Sequence, residues 1–489
     1  MKPELILPGG DLERVKIAFM YGADAVYVGL NKHSLRKAEV RFDIPEIGKA
    51  IEHAHSLGKR LFVTFNIFAH NTQLADIEKD MIEIARFGPD AFIIADIGVM
   101  QIARKVAPCI PVHVSTQANT VNIEDVKFWR DYGAKRVVLA RELSLGEIKE
   151  IHTAVPDIEL EVFVHGSMCI SYSGRCLMSN YMTGRDANQG DCAQPCRWNY
   201  RVYSDKAQTS AVIPAKAGIQ DSGDLDPSSR AGMTMDEIAT SQIPRNDEKF
   251  YLEEKQRPGE FFPIEETESG TNIMSSKDLA LVKYLPEILD AGVVGLKVEG
   301  RNKSEYYLAT VGHTYRAALD SIEHKNYTNS LKKELLGELQ KINNRDYTTG
   351  FILGYAKKGE TYESRSPIRK WDYVGQIISQ QSATNINLVI PSECIEPRNP
   401  LGKNTKGSLQ QGRDDSVGWH EIIVKNKLAV GDKVEVLTPE TINKETIIEI
   451  QDLKGNKLDK VNPGKTDQKA VVKLTKPYPE NTFIRKQCN

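Results

Sequence analysis

A chain of 489 residues exceeds what one ordinary core organises, so two or three domains are expected. Hydrophobic residues at 40% and charged residues at 27% are near soluble averages, which excludes wholesale disorder, collagen-like repeats and a membrane-embedded body. A net charge of −2 exerts no global pull on nucleic acid, so any RNA contact must come from a local basic patch.

The first two hundred residues alternate short β-branched runs with amphipathic helical stretches, the pattern of successive βα units and a parallel sheet. Seven strands are predicted at residues 4–7, 25–29, 60–67, 91–95, 112–115, 136–139 and 159–164. Helical patterns fall between them at 12–21, 45–57, 74–87, 121–132 and 145–154. A helix over 276–291 and an eighth strand over 295–299 complete the series. Eight βα repeats predict an α/β fold, a (β/α)8 TIM-like barrel with a cysteine-rich insertion after strand seven; a doubly wound open sheet is the competitor.

The barrel is expected over residues 1–325, with its cysteine-rich segment at 165–200. Residues 207–247 lose all periodicity and read as a disordered insertion. A helical pattern over 303–342 leads into a connector at 326–370. From 371 to 489 short strands follow one another without helices, at 374–378, 386–390, 421–424, 433–437, 446–450 and 470–474, which predicts a small C-terminal β-barrel. Residues 392–417 interrupt it as a second flexible insertion. The slight basic excess of 419–489 fits either a weak RNA-binding accessory domain or a packing module with solvated lysines.

No apolar run is long enough for a membrane helix, and Met1-Lys2-Pro3-Glu4 lacks the basic and apolar regions of a signal peptide, so a cytoplasmic location is expected. Seven cysteines in such a chain do not suggest a disulfide framework. Cys109, Cys394 and Cys488 are scattered, whereas Cys169, Cys176, Cys192 and Cys196 crowd into one short stretch directly after strand seven. Thiolates are soft ligands, and four of them can complete a zinc site or hold an iron–sulfur cluster. Only Cys192 and Cys196 resemble a zinc knuckle, which tilts the reading towards a [4Fe–4S] cluster, with Zn2+ and unliganded thiols as the alternatives.

Other polar residues gather at the same strand ends, the catalytic face of a (β/α)8 barrel. Asn66 ends strand three and Asp96 strand four; His113, Ser115 and Gln117 follow strand five, Arg141 and Glu142 strand six, His165 and Ser167 strand seven, and Lys297, Glu299 and Arg301 lie on strand eight. Alternation points His113, Ser115 and Gln117 inward together, and likewise the last three. Catalytic roles are expected for His113, Gln117, His165 and Glu299. Asn66, Arg141, Lys297 and Arg301 are expected to bind substrate, the cations together holding a small dianion. Buried hydrogen-bonding partners and an internal ion-pair layer are the bland readings of the same residues. HExxH helix, GxSxG elbow, P-loop and dinucleotide fingerprint are all missing from the sequence, which leaves metalloprotease, hydrolase, NTPase and hydride-transfer chemistry without a motif.

The run from Glu161 to Ser179, EVFVHGSMCISYSGRCLMS, resembles the signature of the collagenase-like peptidase family of unassigned catalytic type. Further similar stretches are PGGDLERVKIAFMYGADAVYVG at 8–29, HVSTQANTVN at 113–122, LARELSL at 139–145, GLKVEGRNKSEYY at 295–307 and VKNKLAVGDKVEVLTP at 424–439. Within that family, residues 180–200 and 257–279 are most similar to the tRNA uridine hydroxylases that use prephenate to make 5-hydroxyuridine at the wobble position. The resemblance implies the barrel, the β-rich C-terminal domain, the tRNA anticodon loop as partner and prephenate as co-substrate. It implies cluster ligation by Cys169, Cys176, Cys192 and Cys196. Peptidase activity on collagen-like chains, and rRNA or ubiquinone-pathway hydroxylation as in other relatives, are the alternative activities it carries.

Overall fold

The computed structural model describes residues 3–30, 32–34, 42–169, 171–173, 175–183, 185, 187–189, 191–197, 250–253, 261–267, 270–272, 276–354, 369–380, 418–464 and 468–488. The expected insertions at 207–247 and 392–417, and the expected strand at 386–390, lie outside these residues.

Eight parallel strands close on themselves: β1 (Glu4–Pro8), β2 (Ala25–Gly29), β3 (Arg60–Phe65), β4 (Ala91–Ile94), β5 (Val112–Val114), β6 (Arg136–Val138), β7 (Glu159–Ser167) and β12 (Val293–Val298). Their order is β12-β1-β2-β3-β4-β5-β6-β7, and pairing of β12 with β7 completes a TIM-like barrel. All five residues of β1 and of β2 are buried, as strands covered on both faces require. Between the strands lie α2 (Ile44–Ser56), α3 (Asn71–Ala85), α4 (Ile97–Val106), α5 (Ile123–Asp131) and α6 (Leu145–Ala154). Their starts are set by local chemistry. Asp43 with Glu46 and Ser144 with Glu147 form capping boxes, and Asp96 accepts a hydrogen bond from the Val99 amide at 3.0 Å. Asp96, placed by sequence among the polar strand ends, therefore serves as a helix cap.

Strand β7 differs from expectation. It runs nine residues, beyond the barrel's rim, and its second half pairs antiparallel with β11 (Asp278–Ala280), Asp278 opposite Ser167 and Ala280 opposite His165. The helix expected over 276–291 is therefore β11, a short 3-10 turn and α8 (Leu285–Asp290). The open edge of β7 captures the first residues of that segment, and Pro286 opens the helix. Strand β13 (Tyr347–Thr348) then adds to β11. Three further strands, β8 (Phe250–Glu253), β9 (Phe261–Thr267) and β10 (Gly270–Asn272), form an antiparallel sheet in the order β10-β9-β8.

The chain divides into two compact units. One comprises residues 1–11, 27–302 and 344–368, and the other 12–26, 303–343 and 369–489. In the second, α1 (Leu12–Met20), α9 (Glu305–Glu323) and α10 (Asn329–Leu339) join an eight-stranded antiparallel half-barrel containing β14 (Trp371–Gln380), β15 (Trp419–Val424), β17 (Lys433–Leu437), β22 (Gln468–Lys473) and β23 (Phe483–Gln487). Val374, Ile377, Ile422, Val436, Val472 and Ile484 form part of its core. Helices and sheet are stitched together by Tyr21 Oη, which donates to the Leu437 and Asn481 carbonyls, and by Tyr306 stacked on Tyr373 at 5.0 Å. The fully buried Arg485 pairs with Glu338 of α10 and Glu435 of β17.

Candidate active site

The first unit carries its charge in two groups. The inner group is a chain of buried ion pairs. Arg136 of β6 meets Glu4 of β1 at 2.7 Å, Glu159 at 2.6 Å and Glu161 of β7 at 3.0 Å, and Glu161 in turn takes Lys297 of β12 at 2.7 Å. Arg60 pairs with the far side of Glu4. With Lys135, 3.5 Å from Glu159, four cations thus meet three carboxylates. Burial opposes ionisation of Glu161, but Lys297 and Arg136 outweigh it and hold the carboxyl at about 2. His113, edge-on to Phe62 at 4.8 Å, is pushed the other way: burial first, then Arg136, holds it well below the ordinary histidine value, so it is neutral. Its Nδ1 has no hydrogen-bond partner.

The second group lines a cavity of about 170 Å³. Its wall takes Asn66 from the end of β3, Ser115, Thr116 and Gln117 from the turn after β5, Arg141 from after β6, and Lys297, Glu299 and Arg301 from β12 and the residues that follow. These are carboxyl ends of barrel strands, where loops can vary without disturbing the core. Two aromatic rings hold the cations in sequence. Arg141 lies 4.1 Å over Phe163, Lys297 lies 5.8 Å from Phe163 and 4.5 Å from Tyr27, and Arg301 lies 6.0 Å from Tyr27. Arg141 also donates to the Ser167 carbonyl at 2.7 Å, and Arg301 donates to Thr64 at 3.2 Å and to Ser34. Among the charged lining residues, Arg141, Lys297 and Arg301 stand with the Glu299 carboxylate and with Cys176, whose thiol is held below its ordinary pKa. Lys297 pairs with Glu161, and the guanidinium groups of Arg141 and Arg301 line the cavity with it.

Glycine shapes this wall at two places. A β-carbon on Gly29 would come within 2.6 Å of Arg301 Nη1, so only glycine lets that guanidinium lie against β2. Gly166, at φ +114°, lets β7 pass the Glu299 carbonyl, which a β-carbon would approach to 2.7 Å.

All four clustered cysteines, Cys169, Cys176, Cys192 and Cys196, line the same cavity. Cys169 and Cys176 are hydrogen-bonded as a thiol and a thiolate. That bond, with help from Ser171 and the backbone near Met178, lowers Cys176 to about 5, while the same bond and burial raise Cys169. Cys192 Sγ accepts from the Gln194 amide at 3.4 Å. Asn188 braces Cys176 by donating to its carbonyl at 3.1 Å, and Ser179 holds the Ala193 amide at 2.9 Å, which ties the two halves of the cysteine segment together. Among the described residues, no three His, Cys, Asp or Glu side chains converge closely enough to hold one metal ion as they stand.

The structure thus brings Asn66, Gln117, Arg141, Lys297, Glu299, Arg301 and the four cysteines to one cavity. His113 and His165, expected there as catalytic groups, are not among its lining residues. Alternation fails after β5 because the strand ends at Val114 and Ser115 caps a 3-10 turn, which separates Gln117 from His113. His165 lies where β7 pairs with both Val298 of β12 and Ala280 of β11, and its ring sits 5.5 Å from Tyr347. Sequence reasoning passed over Tyr27, Phe163, Gly29, Ser34 and Thr64, which hold the cations, and Arg136 with Glu161, which fixes Lys297. Phe163 sits two positions before His165 on a strand already singled out, so period-2 counting could have found it; Tyr27 carries no such signal.

A closed (β/α)8 barrel with a cation- and thiol-lined cavity at its carboxyl end defines a barrel enzyme architecture with an appended β-domain. The chain belongs to Peptidase family U32: the family pattern matches residues 10–362, and that of the family's C-terminal domain matches residues 407–485. Among curated relatives, it is 36% identical over 466 residues to tRNA hydroxylation protein P of Escherichia coli, covering 95% of this chain and 92% of that one. It is 37% identical over 439 residues to the protein of that name from Haemophilus influenzae, covering 90% and 86%. It is 30% identical over 319 residues to the E. coli 23S rRNA 5-hydroxycytidine C2501 synthase, covering 65% of this chain and 39% of that one. Among the described residues, no helix is long and apolar enough to cross a membrane.

Proposed function

We propose that this protein is a tRNA-modifying enzyme that hydroxylates the wobble uridine to 5-hydroxyuridine in a prephenate-dependent reaction, with a [4Fe–4S] cluster on Cys169, Cys176, Cys192 and Cys196. The observation that carries the reading is the joint lining of one cavity by four thiols and by Arg141, Lys297 and Arg301. Near end-to-end similarity to proteins named for tRNA hydroxylation supports the RNA substrate.

The donor set suits the cluster. Four soft thiols spread around a cavity match several irons better than one tetrahedral zinc, whose ligands must meet at a point. When bound, such a cluster supplies one-electron redox chemistry beside the substrate. The remaining work falls to the chain's own side chains. Arg141 and Arg301 are positioned to pair with the carboxylates of a small dianion, prephenate in this reading, and Lys297 adds charge from the cavity floor through its Glu161 tether. Asn66 and Gln117 offer amide groups to the edge of a base, which must leave its stack to reach the cavity. Glu299, the sole carboxylate among the described lining residues, is positioned to hold a proton.

The test is direct. Protein purified and reconstituted without oxygen is incubated with tRNA transcript, with and without prephenate, and nucleosides are separated by mass. 5-Hydroxyuridine at the wobble position, formed only when prephenate is added, is the expected result. Its absence under all conditions, alongside peptide cleavage by metal-free protein, would favour a peptidase instead.

A further inference from the structure

The cysteine segment does more than carry thiols. Between Cys169 and Cys192 it exposes large side chains: Tyr181 is 87% exposed, Leu177 74% and Tyr172 55%, with Met182 at 41%. Core burial does not explain them, and a cluster needs only the sulfurs. Arginines interleave with them. Arg175, whose amide closes a turn onto the Tyr172 carbonyl, lies 5.3 Å over Phe68, and Arg185 pairs with Asp191 at 2.7 Å through Nε and Nη2, an exposed contact of modest strength in water. The same short stretch therefore holds cavity-lining Ser173, Cys176 and Met178 and the exposed Tyr172, Arg175, Tyr181 and Arg185.

We infer that Tyr172 and Tyr181, with Arg175 and Arg185, form a stacking platform for unpaired RNA bases at the mouth of the cavity. This rests on the RNA-modifying reading above and names the surface it would use. Exposed rings offer a face to any base, and guanidinium groups supply both phosphate pairing and stacking, the combination by which single strands are held without sequence readout. A loop of unpaired nucleotides suits this surface better than a duplex, whose bases are already stacked. Its continuity with the cavity wall through Cys176 and Met178 gives a flipped base its route: neighbours rest on the tyrosines while the target enters. The chain's net charge of −2 makes such a local patch necessary for RNA to bind at all.

The experiment measures affinity of the full-length protein for a fluorescent anticodon stem-loop and for a fully paired duplex of equal length. Tyr172→Ala and Tyr181→Ala should each weaken stem-loop binding roughly tenfold, with Tyr181→Phe near wild type because stacking needs the ring alone. Arg175→Ala and Arg185→Ala should flatten the salt dependence. Circular dichroism of each variant checks that the fold is kept. Wild-type binding that prefers the loop but is indifferent to both tyrosine changes would overturn the platform and leave the tRNA reading standing. Wild-type protein that binds no RNA would remove the RNA substrate and the platform together.

Discussion

Two charged regions share the barrel and behave differently. In the inner one, Arg60, Arg136 and Lys297 are matched by Glu4, Glu159 and Glu161, each within ion-pair distance of a partner. At the cavity, Arg141, Lys297 and Arg301 stand with Glu299 and four cysteines, of which Cys176 is the acidic one. Buried charge of the first kind holds strands in register and binds nothing. Charge of the second kind lines a cavity. Lys297 belongs to both, so the balanced region fixes the geometry of the unbalanced one.

Substitutions can break that contrast. The largest effect belongs to the thiols: Cys169→Ser or Cys176→Ser should abolish iron binding and nucleoside product together, with secondary structure by circular dichroism unchanged. Next come the balanced charges. Glu161→Ala leaves Lys297 buried without its carboxylate, Arg136 keeping Glu4 and Glu159, and should cost about 3–5 kcal/mol of stability, read as a fall in Tm. If Glu161→Ala left stability intact while raising KM, the inner layer would be part of the binding site and the division would fail.

Arg301→Ala should raise KM for the anionic co-substrate by roughly ten- to a hundredfold, the worth of a charge-assisted hydrogen bond of about 1.5–3 kcal/mol, with little change in Tm. Gly29→Ala reaches the same guanidinium from β2 and should reproduce that KM defect. The smallest effect is on pH. Because His113 is held below its ordinary 6.5, the unfolded chain binds the proton and the folded one does not, so stability is full above about 6.5 and falls as pH drops below it. His33, His313 and His420 are lowered in the same sense. His113→Gln should therefore flatten the acid side of a Tm profile in part, and an unchanged slope would show that His113 is charged in the fold.

Most of the barrel was legible because its strands are β-branched runs with few alternatives, as at residues 25–29 and 91–94. The segment 276–291 was not. Its apolar run Leu279-Ala280-Leu281-Val282 has no strict period, and its state is decided by the edge that β7 offers, a contact far away in sequence. The site shows the same limit. Alternation indicates which side of a strand a residue takes but not its depth, so His113 and Gln117 read alike although one joins the ion layer and the other the cavity. Cys169 and Cys176 were visible from spacing alone. Tyr27 and Phe163, which seat the cations, were not, since an aromatic residue in a buried strand looks like core until a guanidinium is found on its face.

Metal analysis of protein purified without oxygen tests the central claim most directly. Iron and acid-labile sulfide near four of each per chain, lost in the Cys176→Ser protein, are what the account requires. One zinc per chain with no sulfide, or iron that survives removal of the clustered thiols, would contradict it.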